Sequence, residues 1–213
     1  MIEVESNADA AEIATRSVSV GELRDFARAC GLSQAALERC STVFLFQLYA
    51  GAFISNVFGD AAKILAEVKH LEGIGRAVGT RPAEQFKKHP LLGLYKKHYL
   101  VGGLASMGRN ILLGAGKKKR ELRRIVEKHH NPAYARLPFD VVVKHIAYDV
   151  TNLYAKRSSA QNLTGNWIVF AQHEGKNYYL CLAEHDEGDD TIAARIKDGC
   201  FTEFPFLRPS LKF

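Results

Sequence analysis

The side chains best suited to chemistry stand in one run near the C-terminus, NWIVFAQHEGKNYYLCLAEH, which carries His173, Lys176, Tyr178 and His185. Histidine exchanges a proton near neutral pH, and a neighbouring cation can stabilise a developing phosphorane. Cleavage of RNA by its own 2′-hydroxyl needs an acid, a base and such a cation, and no metal. His173, His185, Lys176 and Tyr178 are therefore the candidate catalytic set. A histidine beside a turn is also commonly a surface or hydrogen-bonded side chain. The element that must position these groups is a hairpin, because two β-rich segments flank Glu174-Gly175-Lys176. Its two-residue loop is either Glu174-Gly175 or Gly175-Lys176. The choice shifts one strand by a residue and leaves the faces unassigned.

A second pattern is electrostatic. Net charge is +6, but residues 81–128 alone hold 13 Lys/Arg and 3 Asp/Glu, whereas 1–80 net −3 and 129–213 net −1. The block includes Lys87, Lys88, Lys96, Lys97, Arg109, Lys117, Lys118, Lys119, Arg120, Arg123, Arg124 and Lys128. Concentrated positive charge attracts phosphate polyanions through Coulomb attraction and counterion release. It also suits an acidic protein partner, an anionic membrane surface, or plain solvation of a helix face. The candidate nucleic-acid-binding residues are Lys96, Lys97, Arg109, Lys117, Lys118, Lys119, Arg120, Arg123 and Arg124. Aromatics interleave the lysines around Tyr95-Lys96-Lys97-His98-Tyr99, which suits base stacking beside phosphate contacts. The same spacing also suits a helix that buries Leu94, Tyr95 and Tyr99 while its lysines reach into water.

Local signals place these groups on elements. Ser19 with Glu22 is a capping box, Ser33 caps a second helix that reads on to about Phe58, and Asp60 starts another running to about Leu71. The Cys40–Gly59 segment carries no charge. Its length matches a bilayer span, but its hydroxyls, amides and glycines favour a buried central helix. A basic helix over 117–130 buries Leu122, Ile125 and Val126, and Pro138 opens a helix to about Arg157. On it His145 and Asp149 are four apart and could pair. Asp189 and Asp190 cap a short helix closed by Gly199, and the tail is a last strand or a packed extended segment. The pattern predicts an α+β fold, with a mainly helical N-terminal bundle (1–135, basic block 81–128) and a small C-terminal module (136–213) built on an antiparallel hairpin at 166–185.

Several function classes are disfavoured. Cys30, Cys40, Cys181 and Cys200 form no C-x-x-C pair and read as free, mostly buried thiols of a reducing, cytoplasmic compartment. No metal-ligand spacing occurs, and Gly73, Gly75 and Gly79 lack the strand and the Lys-Ser/Thr of a phosphate loop. No cofactor or metal is expected. The acidic cluster Glu184, Asp186, Glu187, Asp189 and Asp190 lacks calcium-loop spacing and reads as a solvated, helix-capping turn.

The run W-I-V-F-A-Q-H-E-G-K-N-Y-Y-L at 167–180 resembles the C-terminal hairpin of barnase-type and RelE-type ribonucleases, which carry catalytic residues on a small antiparallel sheet. That resemblance implies His173 as general acid, and the chain departs from the pattern in lacking a glutamate base on a preceding strand. VKHLEG, HPLLGLYKKHYL and WIVFAQHEGKNYYLCLAEHDEGDD resemble an uncharacterised bacterial family associated with integrative and mobile elements. This second resemblance implies defence, toxin or transfer functions. The functional expectation is a nucleic-acid-directed protein of a mobile-element or phage-defence system, in the form of a metal-independent ribonuclease-like toxin. RNA is favoured over DNA as its partner. A non-enzymatic nucleic-acid- or protein-binding adaptor is the alternative, and a membrane-associated effector using Cys40–Gly59 is the least favoured.

Overall fold

A computed structural model describes residues 2–5, 15–53, 60–76, 78–116, 119–209 and 211. Strands β1 (Ile2–Glu5) and β2 (Thr15–Val18) pair antiparallel. Helix α1 (Val20–Ala29) begins at the expected capping box. The Ser19 hydroxyl accepts from the Glu22 amide, and the Glu22 carboxylate accepts from the Ser19 amide at 2.8 Å. The helix expected from Ser33 to about Phe58 is broken in two: Ser33 caps the short α2 (Gln34–Leu37), residues 39–41 bond the β6 edge (Lys176–Ala183) instead, and α3 spans Thr42–Phe53. Asp60 caps α4 (Ala61–Leu71). Among the described residues no helix is long and apolar enough to cross a membrane, and residues 54–59 of the uncharged segment lie outside them.

Strands β3 (Glu84–Gln85), β4 (Tyr95–Tyr99), β5 (Asn166–His173) and β6 (Lys176–Ala183) form one antiparallel sheet in that order. The fold class is α+β. The hairpin turn is Glu174-Gly175, both at positive φ, with His173 opposite Lys176. This is the pair of left-handed residues that a tight hairpin of matching twist requires. A register shift between Val169 and Phe170 leaves Leu180 unopposed on β6. One sheet face presents Tyr99, Ile168, Phe170, Tyr179 and Leu182 to a core built with α1, α3 and α4. The other presents Trp167, Val169, Ala171 and Cys181 to α9 (Asp189–Cys200) and to Phe204, Leu207 and Leu211 of the tail.

The polar residues of the uncharged segment bond the sheet. Ser41 Oγ donates to the Leu180 carbonyl at 2.5 Å and accepts from the Phe44 amide, so it caps α3 from the sheet edge. Gln47 exchanges two hydrogen bonds with the Leu182 backbone, at 2.7 and 3.1 Å. The Tyr179 amide donates to the Arg39 carbonyl and the Ser41 amide to the Tyr179 carbonyl, which covers the outer edge of β6. All four cysteines are free, and Cys40, Cys181 and Cys200 are buried. Burial pushes the Cys200 thiol up to about 12 and those of Cys40 and Cys181 higher still, as expected for inert thiols.

Two details of the C-terminal region differ from the sequence reading. Gly188, not an aspartate side chain, is the N-cap of α9, and the helix runs through Gly199, which packs against Val43. Asp189 and Asp190 instead occupy the first turn, where carboxylates oppose the positive end of the helix dipole. The tail forms a 3₁₀ turn at Pro205–Leu207 rather than a strand.

The chain divides by its contacts into two units: residues 1–77, 82–101 and 165–213, and residues 78–81 with 102–164. The division therefore does not fall at residue 135. Pairing of β4 with β5 draws residues 95–99 into the same unit as the hairpin. The second unit contains α5 (Gly103–Gly114), α6 (Arg120–His129), α7 (Pro132–Ala135) and α8 (Phe139–Ser159). Within it, Asn110 exchanges hydrogen bonds with the Thr164 backbone at 2.8 and 2.9 Å. Gly114 lets α5 approach α8, since a Cβ there would stand 3.0 Å from the Leu153 carbonyl oxygen.

Candidate nucleic-acid interface

The hairpin brings His173, Lys176 and Tyr178 together at its turn end and leaves His185, the fourth candidate catalytic residue, at the other end. His173 lies at the turn end, with its ring stacked on Phe206 at 4.1 Å and edge-on to Tyr178 at 6.1 Å. His185 follows β6 at the opposite end, 5.3 Å from the Trp167 ring and 5.9 Å from that of His98. Trp167 precedes His173 by six residues on an extended strand, so the two histidines are roughly 20 Å apart. One phosphodiester cannot receive a proton from one and yield a proton to the other. Lys176 is exposed opposite His173, and Tyr178 packs against Phe204 and Phe206.

The lysines of β4 are corrected in role. Strand alternation points Tyr95, Lys97 and Tyr99 to one face and Lys96 and His98 to the other. Lys97 consequently lies among core residues, with its side chain 2% exposed. Its Nζ is 3.2 Å from Glu67 Oε2 on α4, a carboxylate that is itself 1% exposed. It cannot reach a nucleic acid. Lys96 lies 4.4 Å above the Trp167 ring and 3.6 Å from Glu84, so its charge is largely spent within the sheet. The helix that would have buried Tyr95 and Tyr99 is a strand. Pairing to both β3 and β5 overrides the helical spacing.

Basic side chains gather instead on α6. Arg120, Arg124 and Lys128 recur every four residues on one face, with Arg123 beside them and Lys119 at the N-cap. Lys119, Arg120, Arg123 and Arg124 are all exposed. Arg124 bonds Glu121 at 2.7 Å and Arg120 approaches the same carboxylate at 3.7 Å. Lys119 and Arg123 have no carboxylate partner among the described residues. Lys117 and Lys118 lie outside the described residues, and Arg109 is exposed on α5. The face expected to be buried is only partly so, because Val126 is 67% exposed while His129 is the buried residue of the helix.

Between α6 and α8 runs a groove of two adjoining cavities, of about 180 and 230 Å³, which share Glu121, Leu153 and Lys156. Arg124, Lys128 and Lys156 line the first, facing Glu121 and Asp149. Asp149 does not pair with His145. It accepts from Lys128 at 2.7 Å and from His129 at 2.9 Å. The Lys128 ammonium, with His129 beside it, holds the Asp149 carboxyl below the usual range. Position on facing helices decides this partner, because α6 packs directly on α8 at this level. Lys156 and Arg157 were not singled out by sequence reasoning. Their signal, two cations in the last turn of a helix, reads as an ordinary complement to the helix dipole.

Among the described residues no group of three or more His, Cys, Asp or Glu could hold a metal ion. The chain matches no protein-family model, and neither the curated proteins nor the solved structures compared with it give a match.

Proposed function

We propose that this protein is a nucleic-acid-directed binding protein that grips the phosphate backbone, of RNA before DNA, through α6 and the groove it forms with α8. The observation that carries the reading is the exposed row Lys119, Arg120, Arg123 and Arg124, continued into the groove by Lys128. Along the helix axis these residues span about 14 Å, enough for several consecutive phosphates of one strand. The roughly 20 Å between His173 and His185 favours binding without cleavage at the hairpin over the ribonuclease reading. A mobile-element or phage-defence setting rests on the resemblance of the quoted segments alone.

The test is equilibrium binding of a single-stranded RNA at several salt concentrations, with chelator present. The expected outcome is affinity that falls with salt and RNA that stays intact. Replacing Lys119, Arg120, Arg123 and Arg124 by glutamine should weaken binding at least tenfold. Loss of four phosphate contacts should also flatten the salt slope by about 3. Unchanged slope and affinity in that variant would remove the proposal. Chelator-resistant cleavage lost in His173→Ala would restore the ribonuclease reading. Selective binding of an acidic protein instead of RNA would assign the row to that partner.

A further inference from the structure

The second cavity of the groove has features that phosphate-backbone binding does not require. It lies between the end of α5, α6 and the last turn of α8, bounded by Gly114, Glu121, Leu153, Lys156, Arg157 and Asn162. Its volume, about 230 Å³, is several times a water's share of the liquid, about 30 Å³. The Arg157 guanidinium donates to the Asn162 carbonyl through one terminal nitrogen, while its Nε is buried and has no hydrogen-bond partner among the described residues. A buried donor left unsatisfied is costly, and a charged one more so. No carboxylate among the described residues pairs with Arg157. Burial, and then the nearby Arg81 guanidinium, bring its pKa down. A wall that carries the Arg157 guanidinium, with no carboxylate paired to it among the described residues, suits an anion. Lys156 adds a second cation at the rim, exposed and without a carboxylate partner among the described residues. The one acid on the wall, Glu121, is already neutralised by Arg124 at 2.7 Å and Arg120 at 3.7 Å.

We infer that this cavity is a seat for the terminal phosphate of a bound RNA strand, held by Arg157 with Lys156 at the rim; the inference rests on the nucleic-acid reading above. A terminal phosphomonoester fits these donors better than an internal diester. It carries nearly two charges and three free oxygens, and it can enter a cavity end-on, whereas a diester must be threaded through. The seat would make the protein a reader of strand ends as well as of backbone charge.

The experiment compares one oligoribonucleotide in three forms, with a 5′-phosphate, with a 3′-phosphate, and with hydroxyls at both ends, by fluorescence anisotropy. One phosphorylated form should bind about tenfold tighter than the hydroxyl-ended form, the size of a single charge-assisted hydrogen bond. Arg157→Gln should bring that ratio close to one. Lys156→Gln, at an exposed position that does not endanger folding, should reduce it part of the way. Equal binding of all three forms, or a ratio that survives both substitutions, overturns the seat. If inorganic phosphate binds at Arg157 while the phosphorylated oligonucleotides gain nothing, the cavity serves a free phosphate and the terminal-phosphate assignment fails. Failure of the hydroxyl-ended RNA to bind at all would instead sink the backbone-binding proposal, so the two are separable.

Discussion

Lys97→Met should damage the fold of this protein and leave its nucleic-acid binding intact, although a sequence reading groups Lys97 with the cations that bind. Lys97 Nζ and Glu67 Oε2 are 3.2 Å apart, both side chains almost wholly out of water. At an effective dielectric of about 20 their attraction is about 5 kcal/mol, most of it offset by the cost of desolvating two charges. Removing one partner forfeits the attraction but keeps the desolvation of the other. Breaking such a pair typically costs about 3–5 kcal/mol. For a chain of this size that corresponds to a fall in melting temperature of roughly 10 °C. The measurement is thermal and urea denaturation of the wild type, Lys97→Met, Glu67→Leu and the double variant, with RNA affinity measured on folded protein. Each single variant should be strongly destabilised, and the double variant should recover most of the loss, because two apolar side chains replace two charges in the core. Folded Lys97→Met should bind RNA as the wild type does. A loss below about 1 kcal/mol, or a double variant no better than the singles, would refute the argument that this pair is a committed part of the core. A drop in RNA affinity equal to that of the α6 variant would refute its exclusion from the interface.

Two further outcomes test the packing around the sheet. Burial alone would raise the Glu72 carboxyl, but hydrogen bonds from Arg39 and from Tyr179 outweigh it and hold the group below the ordinary glutamate range. A carboxyl lowered in the folded state stabilises above its unfolded pKa, and that contribution is lost as pH falls through the folded value. Stability followed by urea titration should therefore drop in acid below about pH 4.5, and Arg39→Met should both flatten that step and cost roughly 2–4 kcal/mol at neutral pH. A step of the same size in Arg39→Met would show that other carboxylates cause it. Gly199→Ala places a methyl group against Val43 where α9 packs on α3, and should cost about 1–3 kcal/mol, with partial recovery when Val43→Ala is added. A neutral Gly199→Ala would mean that the two helices separate freely there.

Local chemistry wrote much of this architecture into the chain. The capping box at Ser19 and Glu22, the caps at Ser33 and Asp60, a hairpin turn within Glu174-Gly175-Lys176 and the helix after Pro138 each depend on residues within a few positions, so they were legible without tertiary information. The choice of Glu174-Gly175 as the two-residue loop came instead from the paired strands. The concentration of positive charge in 81–128 was equally plain. Composition, however, does not reveal which charges reach water. Pairing of β4 with β5 turned a candidate helix into a strand, buried Lys97 against Glu67 and laid Lys96 over Trp167. The same sheet held His173 and His185 at opposite ends of one hairpin, because extended strands separate what sequence proximity suggests is close. Conversely, packing of α6 on α8 joined Lys128 and His129 to Asp149, and set Lys156 and Arg157 beside α6 from more than twenty residues away in sequence. Caps and turns are decided by neighbours along the chain. Burial, ion-pair partners and the lining of a groove are decided by neighbours in space, and only the folded chain brings those together.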